Sequence, residues 1–208
     1  MLYPSGNVII KDDFEDSKEV YYLTGDAGGS IALDTTTYFS GIKSLKLTTA
    51  SGTGKTYSFT RFLGSPPTQK IGAEIHFSGP ESWNGYTEFH INSLDGTNNV
   101  TAKIRYDNNL NKWQYWTSAG AWADVSGGSM DLSIGALIFH HFKMVVDLEN
   151  AKYVGFYIDN EYFDLSTTST QSSASTSARR MYFRVWCENI DNDTLDWNFD
   201  DLIITEEK

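Results

Sequence analysis

Tyr86-Thr87-Glu88-Phe89-His90-Ile91-Asn92, Thr101-Ala102-Lys103-Ile104-Arg105-Tyr106 and Trp113-Gln114-Tyr115-Trp116-Thr117 carry the strongest structural signal in the chain. Each alternates apolar and polar residues with period two, as a strand with one dry face does. Turn-forming residues separate them, first Asp95-Gly96 and then Asn108-Asn109. Centred on those turns, the segments form a meander in which Glu88 faces Arg105, His90 faces Lys103, Lys103 faces Trp116 and Arg105 faces Gln114. Phe89, Ile91, Ile104, Tyr106, Trp113 and Tyr115 share the opposite side. A one-residue slip would exchange the two faces, so the agreement fixes the register. Ile71–Phe77 reads as the first strand of the same meander, and the parity holds through all three of its turns. That pairing sets Glu74 opposite Glu88 and adds Ile75 and Phe77 to the apolar side.

Outward from this block, short alternating segments recur between turns. Strands are expected at Val8–Lys11, Ile31–Leu33, Ser44–Thr48, Tyr57–Arg61, Phe142–Asp147, Tyr153–Asp159, Met181–Cys187 and Phe199–Thr205. In Met181–Cys187 the residues Met181, Phe183, Val185 and Cys187 form one face, and Tyr182, Arg184 and Trp186 the other. No stretch has a convincing helical period. Ser166–Ala178 reads STTSTQSSASTSA, a polar low-complexity loop, long for the inside of a compact domain. An equally apolar strand follows it, which argues against a domain linker. The expectation is an all-β chain, an antiparallel β-sandwich jelly roll, with residues 1–208 as one domain.

Composition narrows the function. Lys and Arg number 16 against 27 Asp and Glu, a net charge of −11, which disfavours gripping nucleic-acid phosphates. No apolar run approaches the ~18 residues of a membrane span, so no membrane insertion is expected. A single cysteine, Cys187, rules out an internal disulfide and a cysteine-based zinc cluster. Met1-Leu2-Tyr3-Pro4-Ser5-Gly6 lacks the basic and apolar regions of a secretory leader. An extracellular location then implies a trimmed leader or another exit, such as the lysis that frees a virion.

Several motifs fail on physical grounds. Ser51-Gly52-Thr53-Gly54-Lys55-Thr56 resembles the end of a phosphate-binding loop, but a strand follows where a helix N-terminus is needed, so a hairpin turn is expected. His140 and His141 are adjacent on a strand and point to opposite faces, so they cannot chelate one ion. Glu188, Asp191 and Asp193 have the wrong parity for acids sharing a strand face and read as an acidic loop. Glu74 and Glu88, if opposed, bring their Cβ atoms within ~4.5–5.5 Å. That spacing suits the carboxyl pair of a retaining glycosidase, about 5–5.5 Å apart, or a charge ladder neutralised by Arg105 and Lys103. A lyase would use His90, Arg105 and Tyr182, types able to take a proton from a uronate and neutralise its carboxylate.

The aromatic residues favour binding. Sugar rings present C–H patches that pack on Trp or Tyr, while their hydroxyls need fixed polar partners. Tyr86, Trp116, Tyr182 and Trp186 beside Glu88, His90, Arg105 and Arg184 supply both, unless a loop covers this face and makes the tryptophans a second core.

Asp12-Asp13-Phe14-Glu15-Asp16, Ser40-Gly41-Ile42-Lys43-Ser44-Leu45-Lys46-Leu47 and Phe199-Asp200-Asp201-Leu202-Ile203-Ile204 resemble segments of jelly-roll carbohydrate-binding modules. His141–Asp147 with Phe156–Glu161 resembles concanavalin-like and laminin-G-like domains. The resemblance implies two packed antiparallel sheets with a polysaccharide or other glycan bound on the concave one, and no catalytic signature. It also implies a structural calcium ion (Ca2+) held by Glu15, Asp201 and a carbonyl near Gly41. Two alternatives stand beside this reading. One is a structural or adhesin domain of a virion or cell surface with a protein partner, the other a hydrolase or lyase of the same fold.

Overall fold

A computed structural model of the chain describes residues 6–64, 70–80, 84–132, 135 and 138–207. Met1 to Ser5, part of the N-terminal segment that lacks the features of a secretory leader, lie outside them. Sixteen strands follow in order: β1 (Asn7–Asp12), β2 (Tyr22–Gly25), β3 (Ser30–Asp34), β4 (Ser44–Thr48), β5 (Lys55–Leu63), β6 (Lys70–Ser78), β7 (Gly85–Leu94) and β8 (Asn98–Asp107). They continue with β9 (Lys112–Trp116), β10 (Trp122–Ser129), β11 (His140–Asp147), β12 (Lys152–Ile158), β13 (Glu161–Asp164), β14 (Gln171–Ala174), β15 (Arg180–Asn189) and β16 (Asp196–Glu207). No helix occurs among the described residues.

The strands form two antiparallel sheets. One runs β13-β12-β11-β6-β16-β4-β3 with β1 on β16, and the other runs β10-β9-β8-β7-β15-β5-β2 with β14 on β8. The fold is therefore the expected antiparallel β-sandwich. Every expected strand is present. The four unexpected ones, β2, β10, β13 and β14, are short, polar or glycine-bearing, and such segments have little β-propensity of their own.

Both sheets turn their apolar side chains to one shared core. Phe89 of β7 stacks on Phe142 of β11 with ring centroids 3.9 Å apart, and Phe77 meets Phe89 at 5.3 Å. Trp113 of β9 packs on Phe142 and Phe156, while Phe59 meets Phe199 near β5 and β16. Trp113, Phe89, Phe142 and Phe156 are all fully buried, and together they join the two layers beneath β7, β8 and β9.

Two expectations about connections need correction. β6 lies in the first sheet between β11 and β16, whereas β7 lies in the second. Glu74 pairs across to Lys143 and Ile203, and Glu88 to Arg105 and Trp186, so the two acids are not opposed and form no glycosidase pair. The step from β6 to β7 changes sheets, and period-two alternation is the same for a sheet-changing link as for a hairpin. The Ser51–Thr56 segment likewise carries the chain from β4 in one sheet to β5 in the other, so it is no hairpin turn.

Gly85 shows how closely β7 and β15 approach. Its φ is +153°, and a Cβ there would run into the Glu188 carbonyl oxygen, so the position accepts only glycine without a backbone shift.

Candidate functional site

The register of the second sheet lays side chains in rows across the face turned away from the core. β7 pairs with β8 as expected, Glu88 opposite Arg105 and His90 opposite Lys103. β15 joins on the other side of β7, with Arg184 opposite His90, Trp186 opposite Glu88 and Tyr182 opposite Asn92. Residues two apart on a strand share a face and lie about 6.5–7 Å apart. Three neighbouring rows result. The first holds Tyr182, Asn92, Thr101 and Gln171; the second Thr60, Arg184, His90 and Lys103; the third Ser58, Trp186, Glu88, Arg105 and Gln114.

These rows floor a groove of about 410 Å³. Its walls are aromatic: Trp116, Trp122, Tyr182 and Trp186, all half-buried. Trp116 and Trp122 meet edge to face at 5.1 Å. The Trp116 indole N–H donates to Gln171 Oε1 at 2.9 Å, and the Lys103 ammonium sits 4.4 Å from the Trp116 ring. On the floor, Glu88, His90 and Asn92 are nearly inaccessible. His90 Nε2 is 2.8 Å from Glu88 Oε2, and a carboxylate can only accept, so that nitrogen carries the proton. Burial pushes the His90 pKa down against the opposing pull of Glu88, which favours the neutral ring. Lys103 is also depressed, by burial first, with the Glu88 charge opposing and the Arg184 charge adding a smaller push.

The backbone that carries Lys103 and Trp116 is set from the core side. Along β8, β9 pairs with Ile104–Asp107 and β14 with Asn98–Thr101, leaving a gap at Ala102 and Lys103. Tyr153, a buried residue of β12 in the opposite sheet, reaches into this gap. Its hydroxyl accepts the Lys103 N–H at 2.9 Å and donates to the Trp116 carbonyl at 2.8 Å. One side chain thus ties the two sheets together directly under the groove.

Of the eight residues expected at a sugar site, Glu88, His90, Trp116, Tyr182, Arg184 and Trp186 line the groove. Tyr86 and Arg105 are not among its lining. The Arg105 guanidinium is clamped between the Tyr86 and Trp122 rings, 4.1 and 4.2 Å from their centroids, and donates to Gln114. Its contribution is to hold Trp122. Sequence reasoning missed Asn92, Thr101, Lys103, Trp122, Gln171 and Glu188 as lining residues. Trp122 follows from the Trp116 register across the Gly120 turn. Gln171 left no signal, because it sits in the low-complexity stretch, which here supplies β14.

The three residues expected at a calcium ion are placed differently. Glu15 Oε1 accepts the Ile42 and Lys43 amides, and the Lys43 ammonium bonds the Glu15 carbonyl. Gly41, at φ +64°, lies against the same carboxylate with no room for a Cβ. Asp201 points elsewhere, its Oδ2 3.9 Å from His76 Nδ1, and the acid facing this loop is Asp200, which accepts the Phe39 and Ser40 amides. Calcium takes about six to eight oxygen ligands. Glu15 Oε1, the Glu15 carbonyl and Asp200 Oδ2 are thus engaged by amides and an ammonium, and no group of three or more His, Cys, Asp or Glu able to hold a metal occurs among the described residues.

No protein-family model matches the chain, and no curated protein does. Solved structures do. The cellulose-induced protein Cip1 superposes with a TM-score of 0.64 at 17% identity, over 94% of this chain and 96% of that one. An endo-β-1,4-glucuronan lyase from the fungus Trichoderma reesei gives 0.64 at 11% identity, over 96% and 95%. A carbohydrate-binding module of the β-sandwich superfamily gives 0.51 at 11% identity, over 93% of this chain and 60% of that one. At these identities the likeness is one of fold, an antiparallel jelly-roll β-sandwich.

Proposed function

We propose that this chain binds a polysaccharide in the groove over β15, β7 and β8 without altering it. One observation carries the reading: Trp116, Trp122, Tyr182 and Trp186 wall a groove whose floor is polar, with Asn92, Thr101, Gln171 and the His90–Glu88 pair beneath them. Apolar walls for ring faces and fixed polar groups for hydroxyls are what a saccharide requires. Such a module works outside the cell or on a virion. The experiment is retention in affinity gels containing a panel of soluble polysaccharides, with the chain compared to its Trp116→Ala, Trp186→Ala double variant. Retardation in at least one gel, lost in the variant, is expected. Unchanged retardation in the variant would show that the groove is not the site.

A second, catalytic reading rests on His90. Neutral, and oriented by a carboxylate at one nitrogen, it keeps a basic lone pair on the other, as a proton-abstracting base does. Release of unsaturated product from any polymer of the panel, lost in His90→Gln, would replace the binding-only reading with this one.

A further inference from the structure

The middle row of the groove is basic in a strongly acidic chain. Arg184, His90 and Lys103 are consecutive cross-strand neighbours on β15, β7 and β8, while the net charge of the chain is −11. The groove's own acids, Glu88 and Glu188, lie outside this row. Glu88 is engaged by His90 at 2.8 Å and by Arg105 at 3.9 Å. Glu188 lies four residues beyond Arg184 on β15, about 13 Å along the strand. Among the described residues, no ion pair within 4.0 Å involves Lys103 or Arg184. Lys103 rests on the Trp116 ring, and Arg184 spends its Nε on the Thr60 hydroxyl.

Two half-buried cations in one groove repel each other, and a negative group placed between them relieves that repulsion. Their strands flank β7, which puts the two Cα atoms about 9.5 Å apart. Both side chains are long enough to converge above the neutral His90. Hydroxyls alone would leave both charges uncompensated, whereas an acid group between them would neutralise both through charge-assisted hydrogen bonds.

We infer that the ligand of this groove is an anionic polysaccharide, one sugar acid group lying between Lys103 and Arg184 while neighbouring rings pack on Trp116 and Trp186. The inference rests on the carbohydrate reading above and adds the charge of the ligand. The shared chemistry is an acid group on a sugar, supplied by a uronic carboxylate or by a sulfate ester.

The test compares retention of the full chain by alginate, polygalacturonate and dextran sulfate with that by carboxyl-reduced alginate, carboxyl-reduced polygalacturonate and plain dextran. At least one acidic polymer is expected to bind at least tenfold more tightly than its neutral counterpart, with affinity falling as salt rises. Retention by a uronan assigns the carboxylate, and retention by dextran sulfate alone assigns the sulfate. Lys103→Met and Arg184→Met, checked for an unchanged melting temperature, should each lose about tenfold for the acidic polymer, the equivalent of ~1.4 kcal/mol. If either variant fails to fold, the comparison on the unmodified chain decides alone. Equal affinity for the acidic and neutral forms of a polymer would overturn the inference and leave the carbohydrate reading standing. Binding to neutral glycans only would do the same. Retention by none of these polymers nor by the wider panel would overturn both.

Discussion

Removing one oxygen atom, in Tyr153→Phe, tests how the groove is built. The ring stays in the core, where Tyr153 is 1% exposed, so packing is preserved and only the hydroxyl is lost. Its loss strands the Lys103 N–H and the Trp116 carbonyl, both of which it serves in the gap between β9 and β14. An unpartnered buried polar group costs about 1–3 kcal/mol, and two of them, partly relieved by relaxation, come to about 3 kcal/mol. For a chain of this size each kcal/mol lowers the melting temperature by about 2–4 °C, so a fall of about 6–12 °C is expected. Calorimetry measures this, with Tyr22→Phe, an exposed tyrosine, as the control that should not move. Amide exchange by NMR adds a local readout, because the Lys103 amide should lose protection while that of Phe89 keeps it. A melting shift under about 2 °C with Lys103 still protected would mean that the hydroxyl is not what closes the gap.

Two further outcomes follow from the carboxylates around the 39–43 loop. Asp200 is fully buried, and burial is the main reason its pKa is pushed up to about 6, three backbone amides pulling the other way. A carboxyl raised in the folded state stabilises most below its unfolded value and loses that contribution as pH rises through about 6. Asp200→Asn has no such loss, so its melting temperature relative to the parent should rise between pH 4.5 and pH 7, to about neutral pH; a flat difference would contradict the assigned cause. Glu15, by contrast, acts through its hydrogen bonds to the Ile42 and Lys43 amides. Glu15→Ala should cost about 1–2 kcal/mol, while adding a chelator to the parent should leave its melting curve unchanged. A clear drop with chelator, reversed by calcium, would restore a metal to this loop.

The parts that could be read in advance share a cause. β7, β8, β9 and β15 alternate polar, charged or half-exposed aromatic residues on one side with buried apolar residues on the other, so register and face follow from alternation alone, and six of the eight expected residues line the groove. Glu74 went astray because β6 alternates in the same way. Its apolar residues do face the core, but they reach it from the opposite sheet, and no periodicity records which layer a strand joins. Trp122 and Lys103 follow the register, opposite Trp116 and His90, and packing then fixes them, one held by Arg105 and the other resting on Trp116. β14 was illegible because its residues are mostly exposed and polar, and its pairing to β8 is through the backbone, which any sequence can provide.

That last property sets β14 apart from the rest of the molecule. Residues 171–174 bury almost nothing, yet they set Gln171 against Trp116. Of this strip Gln171 lines the groove, so exchanging it alters what a bound polymer meets while leaving the shared core untouched. The segment is therefore the natural place to introduce diversity, whether by natural drift or in a library built to retarget the groove. Its serine- and threonine-rich composition is what a replaceable part looks like when the remainder of the chain is committed to folding.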